Sequence, residues 1–151
     1  MSTIMLVDDS ATILLSISSI LSKAGYTVEK AANAELALQK FNAGAKINLL
    51  ITDLNMPGMN GIELIRRLKK DMNTSHIPII MVTAKTGTDD IKEGYAAGAD
   101  EYITKPFDAS ILKIRVDNLI QSREKLKELL ESADSQHALR QKMLAVCVGS
   151  E

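Results

Sequence analysis

Thr3 to Asp8, Tyr26 to Ala31, Ile47 to Asp53, Ile77 to Thr83 and Glu101 to Thr104 are runs of strand length, the first, third and fourth nearly continuous in apolar residues. Such continuous runs suit strands buried on both faces. Between them the apolar period changes to that of a helix. Ile13, Leu14, Ile17, Ile20 and Leu21 recur at helical spacing before Gly25, and Leu36, Ala37 and Phe41 do so before Gly44, each glycine serving as a C-terminal stop. Ile62, Ile65 and Leu68 form a third stripe, with Arg66, Arg67, Lys69 and Lys70 facing out. Ile91 and Tyr95 to Ala97 mark a fourth helix before Gly98, and the last begins near Asp108. Strand and helix alternate five times, which predicts a parallel sheet with helices on both faces. Ligands of such sheets gather beyond the carboxyl ends of the strands. Asp8 and Asp9 then end strand one, Asp53 strand three and Thr83 strand four, with Lys105 just after strand five. All stand on one rim.

Composition narrows the class. At 151 residues, 46% of them hydrophobic, the chain suffices for one well-buried domain. Eighteen basic residues against 19 acidic ones leave no field that favours nucleic acid or an anionic membrane. The single cysteine, Cys147, builds neither a disulfide nor a Cys-based metal site, which points to a reducing compartment, the cytoplasm. The opening MSTIMLVDD is too short an apolar run for a signal peptide or a membrane span, so the mature chain is expected to begin there.

Three converging carboxylates repel one another unless a cation shares the site. Oxygen ligands suit a hard divalent ion, Mg2+ or Mn2+, and the lack of nearby His or Cys argues against zinc. One carboxylate can then attack phosphorus and form an aspartyl phosphate. The metal would hold one phosphoryl oxygen, the Lys105 ammonium a second, and the Thr83 hydroxyl or a backbone N–H the third. Each residue alone has a plainer reading. Asp8 and Asp9 before Ser10 read as helix capping, Asp53 as a loop residue before the turn Asn55-Met56-Pro57-Gly58, Thr83 as strand and Lys105 as surface. Their coincidence at the ends of four strands favours the functional reading. Tyr102 by itself reads as half-buried packing. His76, His137 and Cys147 carry no assigned chemistry.

The segments MLVDDS, ITDLNMPGMNG, IIMVTA and DEYITKPF resemble the receiver domains of two-component response regulators, especially the single-domain chemotaxis type, from about residue 3 to residue 120. The resemblance implies a flavodoxin-like (βα)5 doubly wound sheet of strand order 2-1-3-4-5, with phosphorylation at Asp53. It makes Asp8 and Asp9 the acidic pair that supports Mg2+, Asp9 directly and Asp8 largely through water, with the backbone carbonyl of Asn55 completing the metal sphere. Thr83 becomes the switch hydroxyl, Tyr102 the ring that follows it inward, and Lys105 the cation that senses the acyl phosphate. Pro106 matches a proline preceded by a cis bond. The implied donor is a sensor histidine kinase or phosphotransfer protein, with acetyl phosphate as a small substitute. The implied output is a partner protein bound through the face of helix 4, strand 5 and helix 5. Lys85 stands where charge tunes water access. Such a chain phosphorylates and dephosphorylates itself but has no separate substrate.

Residues 1–121 make the expected receiver domain, and 122–151 a helical extension. Leu112, Leu119, Leu126 and Ala133 are seven apart, with Val116 and Leu130 on the companion seam and Arg123 and His137 interrupting it. This broken heptad reads either as a helix packed on its own domain or as a seam for a homodimer or partner. About 30 residues are too few for an ordinary output domain, so output falls to protein contact. Two rivals remain at this point. A phosphatase of the haloacid dehalogenase type needs a second Asp two residues after its nucleophile, where this chain has Asn55. A constitutive metal-binding scaffold would act through the C-terminal helix alone.

Overall fold

A computed structural model describes residues 2–84 and 88–148, with side chains through residue 130. Lys85 lies outside the described residues, and so do the side chains of Ala133, His137 and Cys147. Strands β1 (Thr3–Val7), β2 (Thr27–Ala31), β3 (Leu49–Asp53), β4 (Ile79–Ala84) and β5 (Glu101–Lys105) alternate with helices α1 (Ala11–Lys23), α2 (Ala34–Asn42), α3 (Gly61–Lys70), α4 (Thr88–Ala97) and α5 (Ala109–Val148). The sheet order is β2-β1-β3-β4-β5, and every pairing is parallel. The order reverses at β1, so β1 and β3 flank the crevice where such sheets hold ligands.

Successive residues of a strand point to opposite faces, and the core divides accordingly. Met5, Val7, Leu50, Ile79 and Met81 join Phe41, Ile62, Ile65 and Leu68 on the face covered by α2 and α3. Ile4, Leu6, Leu49, Ile51, Ile80 and Val82 join Ile17 and Leu21 of α1 and Leu112, Val116 and Ile120 of α5 on the other. The α5 contributors fall every four residues, one stripe of the helix.

β2 starts one residue after the expected Tyr26, and two strands start two residues later than their apolar runs. Ile47 and Ile77 are buried yet precede β3 and β4. Asn48 clasps Thr3 from both sides, its side chain accepting the Thr3 N–H at 2.8 Å and its backbone N–H donating to the Thr3 carbonyl at 2.8 Å, while Pro78 has no N–H for a ladder. The apolar run reports burial, which begins before the regular strand does.

The chain divides into two compact units, Met1–Ile120 and Gln121–Glu151. In the second, Leu126, Leu129 and Leu130 are 46%, 59% and 56% exposed. No helix among the described residues is long and apolar enough to cross a membrane.

Candidate functional site

The carboxyl end of β1 delivers Asp8 and Asp9, and α1 starts at once behind them. Ser10 caps that helix, its Oγ accepting from the Ile13 N–H at 3.4 Å. Its own N–H donates to Asp8 Oδ1 at 2.9 Å. Capping therefore falls to Ser10, and the capping reading of the acidic pair is unnecessary. Asp8 is 1% exposed, while Asp9 faces solvent.

At the end of β3, Asp53 is 5% exposed. Its Oδ1 accepts the Asn55 backbone N–H at 3.2 Å, and its backbone carbonyl accepts the Thr52 hydroxyl at 2.9 Å. The Leu54 N–H donates to the Val82 carbonyl at 3.3 Å, and the Gly61 N–H to the Leu54 carbonyl at 3.0 Å. A Cβ on Gly61 would lie 2.1 Å from the Asp53 carbonyl oxygen, so only glycine lets α3 begin this close to Asp53. On the outer side of the loop, Glu35 Oε1 accepts the Met59 N–H at 3.0 Å, a bond that keeps the Glu35 carboxyl below its ordinary pKa. The sequence marked Gly61 only by placing glycine, a poor helix former, at the first position of a helix. Nothing in the spacing marked Glu35.

Asp8, Asp9 and Asp53 each offer a carboxylate oxygen, all within 4.8 Å of one another. Lys105, at the end of β5, reaches across to two of them. Its Nζ lies 3.2 Å from Asp8 Oδ2 and 3.2 Å from Asp53 Oδ2. The Lys105–Pro106 peptide bond is cis. Burial works against the Lys105 charge, but Asp53 and Asp8 together outweigh it and raise its pKa. For Asp8 the balance runs the other way. Burial first, then repulsion from Asp53, hold its pKa above the ordinary carboxylate value despite the Ser10 N–H and Lys105. One ammonium does not neutralise three carboxylates, so the cluster keeps an excess of negative charge in a partly dry crevice. An all-oxygen donor set of this charge fits a hard divalent cation.

Thr83, at the end of β4, is 1% exposed, and among the described residues its hydroxyl has no hydrogen-bond partner. Buried polar atoms of this kind are rare and costly. Tyr102 sits apart from the carboxylates. It is half-buried against the α2–α3 face of the sheet, with Tyr95 and Arg115 around it.

This geometry can be set beside known proteins. The sequence pattern of the response regulator receiver domain matches residues 4–117. The chain belongs to the response regulator receiver domain family. Chemotaxis protein CheY of Pseudomonas aeruginosa is 37% identical to this receiver over 119 residues, 78% of this chain and 95% of CheY. Histidine kinase P4 of Formosa agariphila is 36% identical over 87% of this chain, but the receiver spans only 10% of that kinase. Among solved structures, a CheY-like receiver domain protein from Methanospirillum hungatei superposes with a TM-score of 0.77 at 34% identity, covering 83% of this chain and 98% of that one. The flavodoxin-like order 2-1-3-4-5 is thus shared with relatives of similar length. The phosphatase and scaffold alternatives draw no support from these comparisons.

Proposed function

We propose that this receiver accepts a phosphoryl group on Asp53, supported by Mg2+ held between Asp53, Asp9, Asp8 and the Asn55 carbonyl, and that the modification switches its affinity for a partner protein. The observation that carries the reading is the convergence of the Asp8, Asp9 and Asp53 oxygens within 4.8 Å under a lysine that touches two of them. Asp9 is exposed and available to a metal, whereas both oxygens of Asp8 are already engaged, one by an N–H and one by Lys105. That difference supports direct binding by Asp9 and a water-bridged role for Asp8. Bound there, Mg2+ supplies charge neutralisation for the incoming phosphoryl oxygens.

In the transfer, an Asp53 carboxylate oxygen bonds to phosphorus as the donor's bond to phosphorus breaks, and the donor leaves as acetate from acetyl phosphate or as imidazole from phosphohistidine. Lys105, already 3.2 Å from Asp53 Oδ2, turns to a phosphoryl oxygen. The Thr83 hydroxyl, which has no partner among the described residues, donates to another, and Tyr102 follows it into the space beside β4. Water later attacks phosphorus, the bond from phosphorus to the Asp53 oxygen breaks, and inorganic phosphate leaves the restored carboxylate. The donor is a histidine kinase or phosphotransfer protein, and the surface of α4, β5 and α5 carries the message. Residues 122–151 serve as a helical contact element. Exposed Leu126, Leu129 and Leu130 recur at the spacing of a helix–helix seam and support a homodimer through it. The protein works in the cytoplasm.

Incubation with Mg2+ and acetyl phosphate followed by intact mass spectrometry tests the chemistry. One added phosphoryl group is expected on the wild type, and none without Mg2+. Continuous release of phosphate from a generic phosphomonoester would instead make the chain a phosphatase.

A further inference from the structure

Tyr102 is held from two sides. The Tyr95 ring of α4 meets it edge-on, with centroids 6.2 Å apart and planes at 88°. The Arg115 guanidinium of α5 lies over it, 5.8 Å from the ring centroid. That guanidinium also donates through Nη1 to the Tyr102 backbone carbonyl and stands 3.3 Å from Glu101 Oε1. One side chain therefore engages the ring, its backbone and the preceding residue.

The sheet register shows what this restrains. Met81 pairs with Tyr102, and Thr83 with Thr104. Residues two apart share a face, so Tyr102 and Thr83 stand on the same face of the sheet, diagonally across β4 and β5. The ring is thus a near neighbour of the Thr83 hydroxyl, which has no partner among the described residues, but is turned to its two outer partners. Rotation of the ring toward Thr83 would leave the carbonyl bond and the Glu101 pair intact, because neither involves the ring. Only the contact between cation and ring, and the edge contact with Tyr95, would be lost.

The geometry points to Arg115 as the positioning residue that sets how readily Tyr102 turns inward, and hence how strongly the phosphorylation site drives the output face. The inference rests on the reading of Thr83 and Tyr102 as the switch. The Glu101 pair and the carbonyl bond fix the guanidinium in place, and its charge over the ring favours the outward rotamer. A cation over an aromatic ring at a partly exposed site changes such an equilibrium by about two- to fivefold.

The chain has three tyrosines, Tyr26, Tyr95 and Tyr102, so 3-fluorotyrosine labelling gives three fluorine resonances, assigned by single Tyr→Phe variants. Spectra are recorded for wild type, Arg115→Ala and Arg115→Gln, with and without Mg2+ and beryllofluoride as a phosphoryl analogue. Gln can still donate to the Tyr102 carbonyl but has no charge. In the free protein, both variants should move the Tyr102 resonance from the wild-type free position toward the wild-type analogue-bound position, while Tyr26 stays in place. The inference is overturned if the wild-type resonance responds to the analogue while the variants coincide with wild type, or if Gln restores the wild-type position that Ala has lost. Should Arg115→Ala fail to fold, the Gln variant decides alone. A wild-type Tyr102 resonance that ignores the analogue overturns the switch reading itself, and the inference with it.

Discussion

Asp8 carries the sharpest conflict in the molecule. Burial and the neighbouring Asp53 push its pKa up, and the Ser10 N–H with Lys105 only partly offsets them. A carboxyl whose folded pKa lies above its unfolded value favours the fold while it is protonated. That contribution is complete below the unfolded pKa and is lost as pH rises through the folded pKa. Asp8→Asn, which cannot ionise, should therefore raise the melting temperature of the metal-free protein at pH above the folded pKa, with the gain shrinking as the solution is acidified through it. The same variant should weaken the stabilisation of the fold by Mg2+, and thermal scans across pH with and without the metal check both. Thr83 stores a second cost, a buried hydroxyl without a partner among the described residues. Thr83→Val, nearly isosteric, should stabilise the unphosphorylated protein by about 1 kcal/mol, seen as a higher urea midpoint at unchanged slope. Both residues are less stable choices than their replacements, a cost that the proposed phosphorylation site would account for.

At the scale of elements, two glycines separate what must stay rigid from what can give. A Cβ at Gly61 would meet backbone, 2.1 Å from the Asp53 oxygen and 2.8 Å from the Leu54 Cα. At Gly94 it would meet Met81 Sδ at 1.8 Å, the far end of a flexible side chain. Gly61→Ala should therefore cost about 2–3 kcal/mol and weaken Mg2+ binding, while Gly94→Ala should cost about 1 kcal/mol and leave binding intact. Denaturation with calorimetric Mg2+ titration separates them. The strands and helices were legible because hydrophobic period reports burial directly. Most strand boundaries fell within a single residue of the expected ones, and the two-residue errors fell at Ile47 and Ile77, apolar and buried residues that precede their strands. The rim of Asp8, Asp9, Asp53, Thr83 and Lys105 was legible because a parallel sheet gathers its strand ends in one place. Gly61, Glu35 and Arg115 were not, since each acts through contacts with residues distant in the chain or through backbone proximity, and neither leaves a period or a spacing.

For the whole molecule, both faces of the sheet are filled by residues up to Ile120, and every residue of the proposed site lies within Met1–Ile120. A chain cut after Gln121 should thus fold with a cooperative transition and take up phosphate from acetyl phosphate as the full chain does. It should sediment as a monomer, whereas the full chain, through Leu126, Leu129 and Leu130, should sediment as a dimer. A cut chain that cannot be phosphorylated would make the extension part of the site. The central claim concerns which of three neighbouring carboxylates takes the phosphoryl group, and reduction with borohydride reads it out directly, because an aspartyl phosphate is converted to homoserine. After incubation with Mg2+ and acetyl phosphate, peptide mass mapping should find homoserine at position 53 alone. Homoserine at Asp9 or Asp8, or at no position, would contradict the account.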